Sequence, residues 1–171
     1  MKNKGFTLVE LLIVVMLISI LAGLLVSVIN PQGIQQKARD SQRKADLKKI
    51  QTALELYFAD ERAYPNIAGP ANTSTAAFKA EIVDGGYMNR LPEDPKNPGP
   101  GAANVAFGAA GNSGYAYTYI YSSATTRYVI YDRLEVGVTS SDPGWCDNLS
   151  NKNMINATIR ADVLCYGVEN P

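Results

Sequence analysis

Hydrophobic positions along the chain change their spacing twice. Residues 6–29, "FTLVELLIVVMLISILAGLLVSVI", are apolar almost throughout, with Glu10 as the one charge. About two dozen such residues are enough to cross a bilayer as one helix. A signal peptide has an apolar core of only about 7 to 15 residues closed by small residues, whereas this run continues past Ala22 and Gly23, so it predicts an anchor. From Ile34 the spacing becomes amphipathic: Leu47, Ile50, Leu54, Tyr57 and Phe58 recur at three- and four-residue steps, and Lys37, Arg39, Arg43, Lys44, Lys48 and Lys49 fill the rest. Pro31 and Gly33 are able to loosen or kink the helix, and Tyr64-Pro65 ends it. If both stretches join, a single helix from Phe6 to Arg62 would be about 85 Å long.

Further on the period becomes two. "GYAYTYIYSS" and "RYVIYDRLEV" read as two strands joined by "SATT", with Tyr115, Tyr117, Tyr119 and Tyr121 on one face. "TAAFKAEIVDGG" reads as a short helix closed by Gly85-Gly86. "GPGAANVAFGAAGNSG" and "TSSDPGWCDNLSNKN" read as loops. One face of the hairpin sheet is expected to cover the Leu47–Phe58 stripe, and the tyrosines to pack rather than form an adhesive surface. The fold class is therefore α+β: an N-terminal helix, transmembrane over 6–30 and amphipathic over 31–63, with an antiparallel β-sheet head over 64–171.

Charge and composition narrow the chemistry. Sixteen basic residues balance sixteen acidic ones, so no electrostatic footprint for direct nucleic-acid binding is present. Histidine is absent, which removes the usual general base and the Ser-His-Asp and Cys-His arrangements. Glu93 and Asp94 are adjacent acids on a Pro-bounded turn and read as solvated rather than as an acid/base pair. Asp40 and Lys44 stand in the favourable i,i+4 order, and most charges of the amphipathic stretch read as a solvated face. Asn72, Asn148 and Asn156 begin Asn-x-Ser/Thr triplets of little weight in a chain rich in these residues. Lys2 and Lys4 favour a cytoplasmic N-terminus and an outward head. Cys146 and Cys165 then face an oxidising compartment, where a disulfide is expected over two buried thiols. Glu10 asks for a partner, because a lone carboxylate among apolar groups is costly.

The stretch "KGFTLVELLIVVMLISILAGLL" resembles the N-terminal signature of type IV pilins and type II secretion pseudopilins, and "ARDSQRKADLKKIQTALELYFADERAYP" is similar to the stalk of major pseudopilins. The resemblance implies a leader, residues 1–5, cut by a prepilin peptidase between Gly5 and Phe6. It also implies N-methylation of Phe6 and a role for Glu10 in subunit assembly. The chain would be a single-pass inner-membrane protein, N-terminus inside and head outside, surrounded by lipid until an assembly platform with a cytoplasmic ATPase builds it into a homopolymer. That polymer would be a cell-surface or periplasmic filament. Major pseudopilins carry an acidic calcium loop after their strand pair, and "SSATTR" has no carboxylate. No cofactor is expected; Asp132, Glu135, Asp142 and Asp147 are the candidate ligands if calcium binds. With the cysteine pair near the C-terminus, these departures lean to a type IV pilus subunit with no catalytic activity. The alternatives are a pseudopilin of a type II secretion or DNA-uptake system and a membrane-anchored monomeric binding domain.

Overall fold

A computed structural model describes residues 5–28, 30–96, 114–160 and 164–170. The chain divides into two compact units, Met1–Gln35 and Gln36–Pro171.

In the first unit, α1 (Leu8–Val28) is apolar on every side. The expected single helix is interrupted, because Asn30 is non-helical and caps a new element, α2 (Pro31–Glu61). Its Oδ1 accepts from the Gly33 N–H at 3.1 Å, and Pro31 takes the first helical position, where its missing N–H costs nothing. Asn-Pro is a helix-start signal here, rather than the mere loosening expected from Pro31.

In the second unit, a four-stranded antiparallel sheet has the order β1-β2-β3-β4, with β1 at Ala71–Asn72, β2 at Thr118–Ser122, β3 at Arg127–Arg133 and β4 at Cys165–Glu169. The hairpin β2–β3 pairs Ile120 with Val129 across the loop 123–126. The two outer strands were not visible in the sequence. A short helix, α3 (Ala76–Lys79), is capped by Thr75, whose side chain accepts from the Phe78 N–H, and runs into a π-helical turn over Ala80–Asp84. Gly86, at φ 86°, closes it in the left-handed region that suits glycine. The last helix, α4, is Ala157–Arg160.

The sheet has two buried faces. On one, Leu47, Ile50, Ala53 and Leu54 of α2 meet Tyr119, Tyr128, Ile130 and Val168. Each fully buried Leu or Ile there contributes about 1.5–3 kcal/mol by leaving water. Phe58, expected to finish the stripe, is a partly exposed edge residue stacked on Tyr64 at 4.7 Å. On the other face, Ile120, Val129 and Tyr131 are covered by Cys146, Leu149, Ile155 and Cys165. The segment 139–153 is irregular as expected, yet it supplies this second layer. The loop expected at 99–114 lies outside the described residues but for its last glycine.

The tyrosine row packs. Tyr117 and Tyr119 are buried, and their hydroxyls donate to Asp46 Oδ2 at 3.2 Å and to the Pro65 carbonyl at 2.9 Å. Tyr128 and Tyr64 both donate to the Glu55 carboxylate, at 2.7 and 3.0 Å. Rings supply apolar area while hydroxyls find acceptors on α2 and, at Pro65, just beyond it.

Candidate functional site

The N-terminal element is where chemistry and exposure coincide. The Gly5–Phe6 junction precedes the helix, Gly5 has open space around it, and Phe6 is exposed. Residues 1–4, which hold Lys2 and Lys4, lie outside the described residues. The first turn is a capping box. Thr7 donates from its backbone N–H and its hydroxyl to Glu10 Oε2, at 2.9 and 2.7 Å, while the Glu10 N–H donates to Thr7 Oγ1 at 3.3 Å. Thr-x-x-Glu directly before an apolar run is the sequence sign of this arrangement, and it went unread. Both of these bonds to the carboxylate fall on Oε2. Over Leu8–Leu25, an 18-residue window with mean hydropathy 2.9, no residue is buried.

In the second unit the charged side chains form a cluster that overturns three expectations. Arg43, read as part of a solvated face, is wholly buried together with Asp40 and Asp46. Asp94, read as a solvated turn acid, is buried and accepts two hydrogen bonds from one edge of the Arg43 guanidinium, Nε to Oδ2 and Nη2 to Oδ1, the latter at 3.0 Å. The reason is geometric: Arg43 projects under the hairpin, where one guanidinium serves several carboxylates. Its Nη1 donates to Asp40 Oδ1 at 2.8 Å and Glu135 Oε1 at 2.9 Å. Asp40 turns away from the expected Lys44 and accepts from the backbone N–H groups of Glu135 and Val136. Lys44 instead reaches Asp142 at 3.1 Å. Tyr115 lies with its ring 4.5 Å from the Arg43 guanidinium. Against the cost of burial, the hydrogen bonds Arg43 donates to Asp94, Glu135 and Asp40 hold it protonated.

The four calcium candidates do not share a site. Asp132 is fully buried, accepts from the Ala116 N–H at 2.9 Å and lies 3.7 Å from Arg43 Nε. Burial and the neighbouring Asp94 push its carboxyl well above the usual range. Glu135 is saturated by Arg39, Arg43 and Lys96, which hold it below the usual range. Asp142 faces Lys44, and Asp147 lies 3.8 Å from Lys152. Among the described residues no group of three or more His, Cys, Asp or Glu is placed to hold a metal ion.

Cys146 and Cys165 form a disulfide with Cα atoms 5.5 Å apart, joining segment 139–153 to β4. Gly144 makes this possible, since a Cβ there would lie 2.1 Å from the Tyr166 ring. Of the Asn-x-Ser/Thr asparagines, Asn72 is buried and holds Ser74, Asn148 donates to two carbonyls, and Asn156 is exposed.

Comparison with known proteins points the same way as the first turn. The family described as "Prokaryotic N-terminal methylation motif" matches residues 1–26, and "Type II secretion system (T2SS), protein G" matches residues 31–99. The chain is 35% identical to the type II secretion system core protein G of Aeromonas hydrophila over 99 residues, covering 55% of this chain and 68% of the relative. It is 33% identical to that of Klebsiella pneumoniae over 99 residues, 55% of this chain and 69% of the relative. Against that of Vibrio cholerae it is 32% identical over 102 residues, 55% of this chain and 66% of the relative. No solved structure matches. These relatives favour the pseudopilin alternative over the type IV pilus subunit towards which the cysteines leaned. The chain belongs to the type II secretion system protein G family of pseudopilins.

Proposed function

We propose that this chain is a structural subunit of a type II secretion pseudopilus, a periplasmic filament whose core is built from α1. The observation that carries this reading is the helix itself: an apolar surface exposed on every side, with a single carboxylate in its first turn. Before assembly, lipid is the natural solvent for that surface, and Glu10 sits near enough to the helix start to stay at the interface. A prepilin peptidase cuts between Gly5 and Phe6, and Phe6 carries the methylated amine. In the filament, Glu10 Oε1 accepts from the Phe6 amine of a neighbouring copy. Two opposite charges at about 4 Å gain roughly 4 kcal/mol at an effective dielectric of 20, and a copy in the wrong register forfeits that gain. An assembly platform and its ATPase act on the inner-membrane side.

Deleting the gene in its host tests this, with export of extracellular enzymes and surface fibres scored together. Loss of export with surface fibres intact is expected. Loss of long fibres with normal export would overturn the secretion reading in favour of a pilus.

A further inference from the structure

Within the second unit, the two ends of α2 carry opposite and unfinished surfaces. At the end nearer residue 37, Lys37, Ser41, Lys44, Leu134 and Val136 line a groove of about 280 Å³, together with Gly137 and with Asp40, whose carboxylate is already held by Arg43 and by the Glu135 and Val136 N–H groups. Val136 is 48% exposed there, one of the few large apolar side chains of this unit left in water. Lys37 is exposed and its ammonium has no ion-pair partner among the described residues, while Lys44 is half-exposed and shared with Asp142. At the far end, Leu56 is 53% exposed and Phe58 36% exposed. Beside them Asp60, Glu61 and Glu81 form no ion pair among the described residues, neighbouring Arg62 included; their partners there are tyrosine hydroxyls, Tyr57 donating to Glu81 at 2.9 Å and Tyr87 to Asp60.

That charge order is the reverse of what the helix itself favours. Carboxylates stabilise a helix near its N-terminus and cations near its C-terminus, yet the first turn of α2 has no acid and its last turn no base. Asp60 and Glu61 therefore oppose their own helix dipole, and their placement calls for a cation from elsewhere. The basic groove cannot reach them within one chain. Lys37 and Glu61 are 24 residues apart on α2, or roughly 36 Å along its axis.

We propose that the groove beside Lys37 and Val136 receives the Leu56–Glu61 end of α2 from a second copy of this chain. Leu56 or Phe58 enters between Leu134 and Val136, and Asp60 and Glu61 meet Lys37 and Lys44. Two different patches meet, so the contact is heterologous and repeats without closing, as a filament requires. Charge matching of this kind selects register and partner more than it adds bulk affinity. The inference rests on the filament reading and adds to it a contact between the outward units.

Charge exchange tests the contact in cells that assemble the native filament. Lys37→Glu is the informative single change, because among the described residues its ammonium forms no ion pair; Asp60→Lys with Glu61→Lys is its counterpart. Each alone is expected to lower incorporation into filaments by about tenfold or more, and the combination to recover most of it. Leu56→Cys together with Val136→Cys is expected to give intermolecular disulfides in sheared filaments. If Lys37→Glu assembles normally and the cysteine pair never links, this contact is wrong while the filament reading stands. A combination no better than its parts also rejects the pairing. If even the unaltered chain is absent from filaments, the filament reading falls and the contact with it.

Discussion

α1 and α2 follow one another in sequence and treat charge in opposite ways. α1, 21 residues long, has one carboxylate and leaves its apolar surface uncovered throughout Leu8–Leu25. α2, 31 residues long, buries Asp40, Arg43 and Asp46 beside Leu47, Ile50 and Leu54. The second unit pairs Asp40, Arg43 and Asp46 with its own residues, because a buried charge is tolerated only when paired, and leaves Asp132 Oδ2 without a hydrogen bond among the described residues. The first unit is left incomplete by its own residues: an all-round apolar helix has to be covered by lipid or by other helices. A protein built this way separates folding from assembly.

Several substitutions break that separation or sharpen it. The largest effect is expected at Arg43. Arg43→Leu leaves Asp40, Asp94, Asp132 and Glu135 facing one another without their shared cation and should cost about 3–5 kcal/mol in denaturant unfolding of the detergent-solubilised chain. A loss below about 1 kcal/mol would show that the cluster is wetter than its burial indicates. Next, replacing Cys146 and Cys165 by serine removes the cross-link that closes the 139–153 layer onto β4. For a sequence separation of 19 the chain-entropy model gives roughly 3 kcal/mol. Amide exchange should rise over Cys146–Ile155 and stay unchanged in Leu47–Leu54. In the first unit, Thr7→Val deletes the capping box and should loosen the first turn of α1 by about 1 kcal/mol, read by amide exchange at Leu8–Glu10, with no effect on unfolding of the second unit.

Acid gives the smallest and most gradual change. Glu135 titrates below its ordinary 4.5 because Arg39, Lys96 and Arg43 hydrogen-bond its charged form. The unfolded chain therefore takes up this proton first, so the stability Glu135 supplies is present above the ordinary carboxylate range and lost as pH falls through it. Asp132 acts with the opposite sign. Burial raises its titration, so its contribution is full at low pH and is lost as pH rises. Glu135→Gln should flatten the acid side of a stability profile measured from pH 7 down to about 3; an unchanged acid limb would mean that other carboxylates set it.

The helices and the central hairpin were legible because each carries a regular period: unbroken apolar residues in α1, three-and-four spacing in α2, alternation through Tyr115–Tyr121. What escaped was set by contacts distant in sequence. Arg43 looks like any helix-surface cation until Asp94 and Glu135 are brought to it from 51 and 92 residues away. The strand pairings of Ala71–Asn72 and Cys165–Glu169 are equally invisible, since one is two residues long and the other begins at a cysteine. Asn30-Pro31 and Thr7-x-x-Glu10 are different. Both are local capping signals that the apolar pattern around them overshadowed. The cysteine pairing was readable because both cysteines fall in the portion read as outward, where an oxidising compartment favours a bridge over two thiols.

The central claim is that Glu10 serves assembly as a charge, beyond its place in the capping box. Glu10→Gln separates these roles, because glutamine at the third helical position still completes the box with Thr7 while removing the charge. With every subunit carrying the change, membrane insertion and cleavage at Gly5–Phe6 should proceed normally, checked by mass spectrometry of the N-terminus, and filaments should be scarce or short by electron microscopy. Filaments of normal number and length from the Glu10→Gln chain would contradict the account.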